Sequence, residues 1–371
     1  MNINTLILYN YRNYKQLKLK LSSNINIFTG YNAQGKTNII EAVYLASIGI
    51  SHRTRNESDL ILWGSEKSQI SISFSKKNIT SNLKISLKKH TRKELNFNGE
   101  IIKQKDLPGL LTMILFSPED LMLIKGTPQL RRRFLDIELS QISSLYYNSL
   151  VQYNKILLQR NNLLKKIREN NQLIDMLDIW DKQLAQISAF IVEKRLRGID
   201  KLSILANKTH NWISKNKEDL QIIYNLHNSS GVIEKNIQNL NIFFQEALKK
   251  YRNKDIYRGT TSIGPHRDDI DFYINNVSLK SFGSQGQQRS SILSLKLAEL
   301  EFLKDETGEY PVLLLDDVMS ELDENRRENL LSLLQEKNIQ TLITATDTTL
   351  FSIHPKNKFF KVDKGLVSEE L

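Results

Sequence analysis

The sequence predicts an α/β fold: a nucleotide-binding domain split between the two ends of the chain, with a mainly helical arm inserted between its parts. Three observations carry this prediction. A glycine-rich loop ending in Lys-Thr follows a short apolar strand near the N-terminus. An apolar strand ending in two aspartates stands near the C-terminus. Between them, the stretch from Gln129 to Asn211 repeats its apolar residues at helical spacing with few breakers.

In chain order, Ile3–Tyr9 reads as a strand with Ile3, Thr5, Ile7 and Tyr9 alternating. A second strand, Ile25–Thr29, stops at Gly30, and an amphipathic helix follows from about Asn38 to Ser47. Residues 68–105 read as short strands and turns: Ile70, Ile72 and Phe74 alternate, as do Leu83, Ile85 and Leu87. Asn98-Gly99, between Leu95–Phe97 and Glu100–Ile102, is the dipeptide of a type I′ hairpin, which needs left-handed backbone at both positions.

The pattern changes near Lys125-Gly126. Tyr146, Leu150, Tyr153, Leu157, Leu164 and Ile167 fall at steps of three and four, with Arg160 in one seam position. A second stripe runs Leu177, Trp180, Leu184, Ile187 and Ile191, beyond the polar break Glu169–Gln172. Two antiparallel helices packed through heptad-like seams follow from this. They make either a projecting interaction arm or ordinary helical packing. Residues 218–280 are mixed. Then Leu293–Leu303 reads as a helix, Val312–Leu315 as a buried strand, Arg326–Lys337 as a helix and Thr341–Thr344 as a strand; this alternation argues for a parallel sheet. The expected division is 1–125 and 281–371 for the two parts of the nucleotide-binding domain and 126–280 for the arm.

Composition narrows the function classes. Hydrophobic residues make up 40% of the 371, enough for a sizeable core. Lys and Arg number 52 against 41 Asp and Glu, a formal charge of +11, which suits a polyanionic partner such as nucleic acid or an anionic membrane surface. There is no cysteine, which excludes disulfides and thiolate metal sites. Met1–Tyr14 is polar, and no uncharged apolar run approaches the roughly 20 residues of a membrane helix, so a soluble, unexported, cytoplasmic protein is expected.

The chemistry lies in four segments. Gly30-Tyr31-Asn32-Ala33-Gln34-Gly35-Lys36-Thr37 matches the P-loop pattern in full. Its glycines let backbone N–H groups face the phosphates of ATP, Lys36 reaches the β and γ phosphates, and Thr37 offers its hydroxyl to Mg²⁺. The helix that follows points its positive end at the same anion. Val312–Asp317 supplies the acidic partner: Asp316 for Mg²⁺ through water, Asp317 to orient or deprotonate the attacking water. Ser284-Gln285-Gly286-Gln287-Gln288-Arg289, before a helix expected near Ser290, resembles the signature of ABC ATPases. There a Ser, a Gly and free helix N–H groups receive the γ-phosphate held by another subunit; here Ser284, Gly286 and Gln287 stand in those places. Ser320-Glu321-Leu322-Asp323 resembles the ABC D-loop, with Ser320 and Asp323 as its polar residues. If these assignments hold, a second copy completes each site across a two-fold axis, and ATP drives dimerisation. Two departures from general ABC proteins stand out: Asp317 replaces a common Glu, which suits slow hydrolysis, and Thr346 stands where a switch histidine often sits.

Further segments resemble one family within this class. Asn10-Tyr11-Arg12-Asn13-Tyr14, Phe116–Leu121, Arg131–Asp136, Thr261–Asp269 and Leu315–Asp323 together are similar to motifs of the RecF family of bacterial DNA-repair proteins. The resemblance covers the whole chain in order. It implies that Arg12 approaches the nucleotide. It also implies a weak DNA-dependent ATPase that binds DNA at single-strand/double-strand junctions, works with RecR and RecO to load RecA at gaps, and supports replication restart and the SOS response. The residues themselves offer basic groups for phosphate contact: Lys76, Lys77, Lys84, Lys88, Lys89, Arg92 and Lys93 in the first lobe, and Arg131, Arg132, Arg133, Lys165, Lys166 and Arg168 in the arm. Such groups contact phosphates without reading bases, although any single Lys among them reads more readily as a solvated surface charge than as a contact. Gly264–Asp269 reads as a turn that packs the arm onto the ATPase domain rather than a metal site, since no second His lies at ligand spacing. The competing readings are an ABC transporter ATPase, disfavoured by the long insert and basic charge, and an SMC-like structural ATPase, disfavoured by the short arm.

Overall fold

The computed structural model describes residues 1–228, 236–347, 351 and 356–370. They form two compact units, 1–120 with 299–371, and 121–298.

The first unit opens with an antiparallel sheet built from β1 (Asn2–Tyr11) and β2 (Tyr14–Lys20). After β3 (Ile25–Thr29) and α1 (Lys36–Ile48), that sheet continues with β4 (Lys67–Lys76), β5 (Ile79–Lys88), β6 (Glu94–Phe97) and β7 (Glu100–Ile102), in the order β2-β1-β4-β5-β6-β7. Asn98 and Gly99 both take positive φ, 51° and 94°, between the paired Phe97 and Glu100, as the hairpin dipeptide requires.

The phase of β1 differs from the expected one. Ile3, Leu6, Leu8 and Tyr11 are buried, whereas Tyr9 is exposed and Ile7 half-buried. The β1–β4 register shifts between Ile3 and Thr5, and one residue of slip moves every later side chain to the other face.

The second sheet of this unit holds β8 (Met113–Phe116), β12 (Val312–Asp316), β13 (Thr341–Ala345), β14 (Lys358–Asp363) and β15 (Leu366–Glu370) around β3, in the order β15-β14-β3-β13-β12-β8. The pairs β3–β13, β13–β12, β12–β8 and β3–β14 are parallel, which brings the C-terminal ends of β3 and β12 to the same edge of the sheet with β13 between them. Helix α1 touches strands of both sheets and shares their core, so it is buried nearly all round. Helix α10 (Glu324–Glu336) joins β12 to β13.

The second unit holds α2 (Met122–Lys125), α3 (Pro128–Ile142), α4 (Ser144–Ile167), α5 (Leu177–Ser214), α6 (Ile237–Lys250), α7 (Arg252–Arg258) and α8 (Leu279–Phe282), with a small antiparallel sheet of β9 (Leu220–Asn225), β10 (Asp269–Ile274) and β11 (Val277–Ser278). Arg160 meets Asp181, and Tyr146 meets Arg195; as one partner moves down α4 the other moves up α5, so the two helices run antiparallel.

Arg160 sits in the seam as expected, fully buried. Its Nε donates to Asp181 at 2.7 Å and its Nη1 to Asp255 at 2.8 Å and the Thr261 hydroxyl at 2.8 Å, while Nη2 has no hydrogen-bond partner among the described residues. Helix α9 (Gln285–Thr307) starts in this unit and ends in the first; residues 281–298, expected with the nucleotide-binding part, cluster with the helical unit.

Candidate functional site

Within the first unit, β3 delivers the chain to the P-loop and α1 carries it away. Gly30 takes φ +143°, and a Cβ there would collide with the Val362 carbonyl on β14. Gly35, at φ +115°, closes the loop where a Cβ would lie 2.5 Å from the Asn13 side chain. Lys36 is 7% exposed; its ammonium donates to the loop's own carbonyls, at Gly30 and, at 2.9 Å, at Tyr31. Burial pulls its pKa below the ordinary lysine value, against the pull of Asp317 and Asp316. Tyr31, Asn32 and Ala33 are exposed at the rim, and Ala33 has left-handed backbone at φ 64°.

The P-loop and the C-terminal end of β12 meet at Asp316. Thr37 donates its hydroxyl to Asp316 Oδ1 at 3.0 Å, and Thr344 donates to the same oxygen at 2.7 Å. Asp317 is exposed with φ 56°, and its N–H donates to the Thr344 hydroxyl at 2.9 Å. A hydroxyl and a carboxylate, both oxygen donors, are the protein ligands Mg²⁺ takes beside water and phosphate oxygens. Among the described residues there is no cluster of three His, Cys, Asp or Glu that would cage a metal by itself, so the donor set fits a magnesium carried in with phosphates.

Register explains why Thr344, which the sequence reading missed, does this work: Asp316 pairs with Thr344 across β12–β13. Thr346, expected at the γ-phosphate, lies beyond the strand, exposed, and has no hydrogen bond to the acidic pair among the described residues. Thr344→Val is expected to leave the Asp317 amide unmatched and to lower stability by about 1–3 kcal/mol, measured by denaturant unfolding.

The N-terminal motif braces the loop. Asn13 Nδ2 donates to the Gln34 carbonyl at 2.8 Å, Tyr14 OH donates to the Gly35 carbonyl at 3.0 Å, and the Gln34 side chain accepts from the Lys364 amide at 2.6 Å. Arg12 is held by α1, not left free for a ligand: it makes a bidentate pair with buried Glu41 at 2.8 and 2.6 Å and donates to the Asp59 carbonyl at 2.8 Å. Burial pushes the Glu41 carboxyl up, but the hydrogen bonds from Arg12 and Ser51 and the charges of Arg12 and Arg53 together hold it below its usual range. Ser320 donates to the Asp317 carbonyl at 3.0 Å, and Asp323 caps α10 by accepting from the Arg326 amide at 2.9 Å.

In the second unit, Ser284 is the N-cap of α9, which begins at Gln285 and not near Ser290. The cause is a reciprocal capping box: the Gln287 amide donates to Ser284 Oγ at 3.2 Å, and the Ser284 amide to Gln287 Oε1 at 2.9 Å. Ser284 and Gly286 are exposed, and a Cβ on Gly286 would meet only Ser284 Oγ, at 3.9 Å. This helix start is therefore open to an incoming group.

The basic residues divide. Lys77, Lys84, Lys88 and Arg92 are exposed, and Lys165, Lys166 and Arg168 are exposed on the arm. Lys76 donates to the Gly109 carbonyl at 2.6 Å, Lys89 pairs with Glu66 at 3.0 Å, and Lys93 pairs with Glu57. Arg131 is a correction: it is 2% exposed and bound to Asp269 at 2.7 and 2.9 Å, so it holds α3 to β10 and presents no charge to DNA. Arg132 and Arg133 are half-buried. The Gly264–Asp269 turn packs on α4 and α5 through His266 to Tyr153 and through the Pro265 carbonyl, which accepts from Arg195 at 2.6 Å.

The RecF/RecN/SMC N-terminal domain model matches residues 2–366. The DNA replication and repair protein RecF of Clostridium tetani is 44% identical over 98% of this chain and 99% of its own. That of Halothermothrix orenii is 43% identical over 99% of both. A solved structure described as the recombination mediator protein RecF-ATPrS in the RecFOR pathway matches with TM-score 0.92 and 37% identity, covering 99% of this chain and 97% of that one. An Smc head bound to the C-terminal winged-helix domain of ScpA, 15% identical with TM-score 0.59 over 100% of this chain and 97% of that one, shares the fold. Among the described residues no helix is long and apolar enough to cross a membrane.

Proposed function

The chain belongs to the RecF family of DNA replication and repair proteins, and from that membership we propose that it is an ATP-driven switch that dimerises on DNA. The observation that supports this most is the convergence of Lys36, Thr37 and Asp316 at one edge of the parallel sheet, with a separate open helix start at Ser284 and Gly286. The P-loop amides and Lys36 bind the triphosphate. Thr37 and Asp316 hold Mg²⁺, which when bound screens the phosphate charge. Asp317 orients the attacking water and accepts its proton, and Thr344 fixes the backbone of Asp317 in place. Ser284, Gly286 and Gln287 of a second copy face the γ-phosphate, so ATP joins two copies and hydrolysis parts them.

Arg12 acts through α1 and the loop, and Ser320 and Asp323 shape the turn beside Asp317. Thr346 lies at the same edge. Lys76, Lys77, Lys88, Lys89 and Arg92 of the first unit, and Arg132 and Arg133 of the second, contact phosphates of DNA at single-strand/double-strand junctions. In the cytoplasm the switch works with RecR and RecO toward loading RecA at gaps, and it supports replication restart and the SOS response.

Asp317→Asn tests the hydrolytic part. Removing the base is expected to lower ATP turnover by roughly 10²-fold or more while ATP affinity holds. The variant is then expected to stay on gapped duplex DNA after ATP addition, as read by fluorescence anisotropy. Wild-type turnover in the variant would remove Asp317 from the chemistry.

A further inference from the structure

Within the helical unit lies a cavity of about 440 Å³, lined in part by the Gly264–Asp269 turn and by the start of α3. Its walls carry the cations Arg132, Lys254, Arg258 and Arg267, and no lining residue is acidic. What these cations touch is neutral. Arg132 donates to the Asp268 carbonyl at 2.6 Å, Arg267 donates to the Thr261 carbonyl at 3.0 and 3.3 Å, and Lys254 lies 5.5 Å over the Tyr251 ring. Acids behind the wall are engaged elsewhere: Asp269 with Arg131, Asp268 with the Tyr224 hydroxyl and the His227 amide, and Asp255 with Arg160 and Ser262.

The buried and half-buried arginines Arg160, Arg195 and Arg252 of this unit are matched by carboxylates. Arg160 has Asp181 and Asp255, Arg195 has Asp136, and Arg252 has Asp178 and Asp181. Around the cavity, among the described residues, the four cations have no carboxylate partner, so positive potential accumulates there. The cations also add to burial in disfavouring protonation of its two histidines. Burial, then Arg267 and Lys254, push His227 down; burial, and beside it Arg267, Arg132 and Arg195, push His266 down to about 4. Helix α3 adds its positive end, since Thr127 makes no side-chain cap and Pro128 occupies the first turn. Thr260, Ser262 and Asn228 add neutral hydrogen-bonding groups.

We infer that this cavity binds a phosphomonoester. Such a group carries close to two charges at neutral pH and three terminal oxygens, which suits cations converging on a pocket. A backbone diester carries one charge and continues on both sides, which suits an open track. The volume falls in the range of small-ligand pockets. The phosphate belongs either to the 5′ end of a nucleic-acid strand or to a small sugar phosphate. This assignment does not rest on the ATP site.

The test uses the full chain without ATP. Ribose 5-phosphate, with ribose as control, is titrated by calorimetry into wild type and into Arg258→Ala/Arg267→Ala; both positions are exposed, and circular dichroism and ATP binding check the fold. Wild type is expected to bind ribose 5-phosphate and not ribose, and the double variant to bind it at least about tenfold more weakly, the share of one or two charge-assisted hydrogen bonds. Gapped duplexes with a 5′-phosphate or a 5′-hydroxyl at the gap are compared by anisotropy at one salt concentration. A preference for the phosphorylated end that the double variant loses supports the site and identifies a strand end as its source. Ribose 5-phosphate binding that depends on Arg258 and Arg267 without such a preference supports the site and identifies a small sugar phosphate. No ribose 5-phosphate binding together with equal binding of the two duplexes overturns the inference, as does binding that the double variant leaves unchanged.

Discussion

Lys36→Met is expected to lower ATP affinity by about 10- to 150-fold, the equivalent of one charged hydrogen bond of about 1.5–3 kcal/mol. Methionine keeps the length and most of the volume of the side chain, so the buried stem still packs. What is lost is the ammonium, which the 7% exposed residue holds against the Gly30 and Tyr31 carbonyls. Burial already disfavours its charge, and the nearby Asp316 and Asp317 only partly restore it. A bound triphosphate gives this cation a stronger partner than the loop carbonyls do. Titration calorimetry with ATP-Mg²⁺, beside a melt of the nucleotide-free variant, separates lost binding from lost fold. Unchanged affinity would remove Lys36 from the phosphate site.

Arg160→Met is expected to destabilise the helical unit by about 3–5 kcal/mol, because it leaves Asp255 with a charge and no cation in a buried seam, and Asp181 with Arg252 alone. Asp255 is fully buried and Asp181 nearly so. Arg252 still reaches Asp181, at 2.7 Å, so Asp255 carries most of the penalty. For a unit of this size that cost corresponds to a melting temperature lower by about 6–20 °C in differential scanning calorimetry. ATP binding by the first unit is expected to survive. A melt within a degree of wild type would mean that the network contributes no net stability.

Much of the site was legible because its pieces are local. The P-loop, the apolar strand ending in Asp316-Asp317 and the Asn98-Gly99 turn each declare themselves within about eight residues, and the antiparallel pairing of α4 and α5 shows in longer stripes at helical spacing. The illegible parts depend on register or on partners far along the chain. The irregularity between Ile3 and Thr5 inverted the faces of β1, and alternation read without it named Ile7 and Tyr9 in place of Leu6 and Leu8. Thr344 reaches Asp316 because the two face each other across parallel strands, which spacing along the chain cannot show; Thr346 was chosen by position alone. Arg131 reads as a surface cation within an Arg-Arg-Arg run until Asp269, on another element, is known to meet it. Ser284 and Gln287 form a capping box that sequence alone could have revealed, and reading that segment as a loop delayed the start of α9. Strand β8 and the β14–β15 hairpin went unread because they are short and two of them lie at the sheet edges, where burial patterning is weakest.

The central claim is that ATP completes a site shared by two copies, and mass in solution tests it most directly. Wild type, Lys36→Met and Ser284→Arg would be weighed by light scattering with and without ATP-Mg²⁺ and duplex DNA. The account predicts that wild type doubles its mass only with ATP. Ser284→Arg is expected to bind ATP as wild type does yet remain a monomer, because the arginine fills the open helix start beside Gly286. Lys36→Met is expected to show no response to ATP. A wild type that stays monomeric at every ATP and DNA concentration, or a Ser284→Arg variant that dimerises as wild type does, would contradict the account.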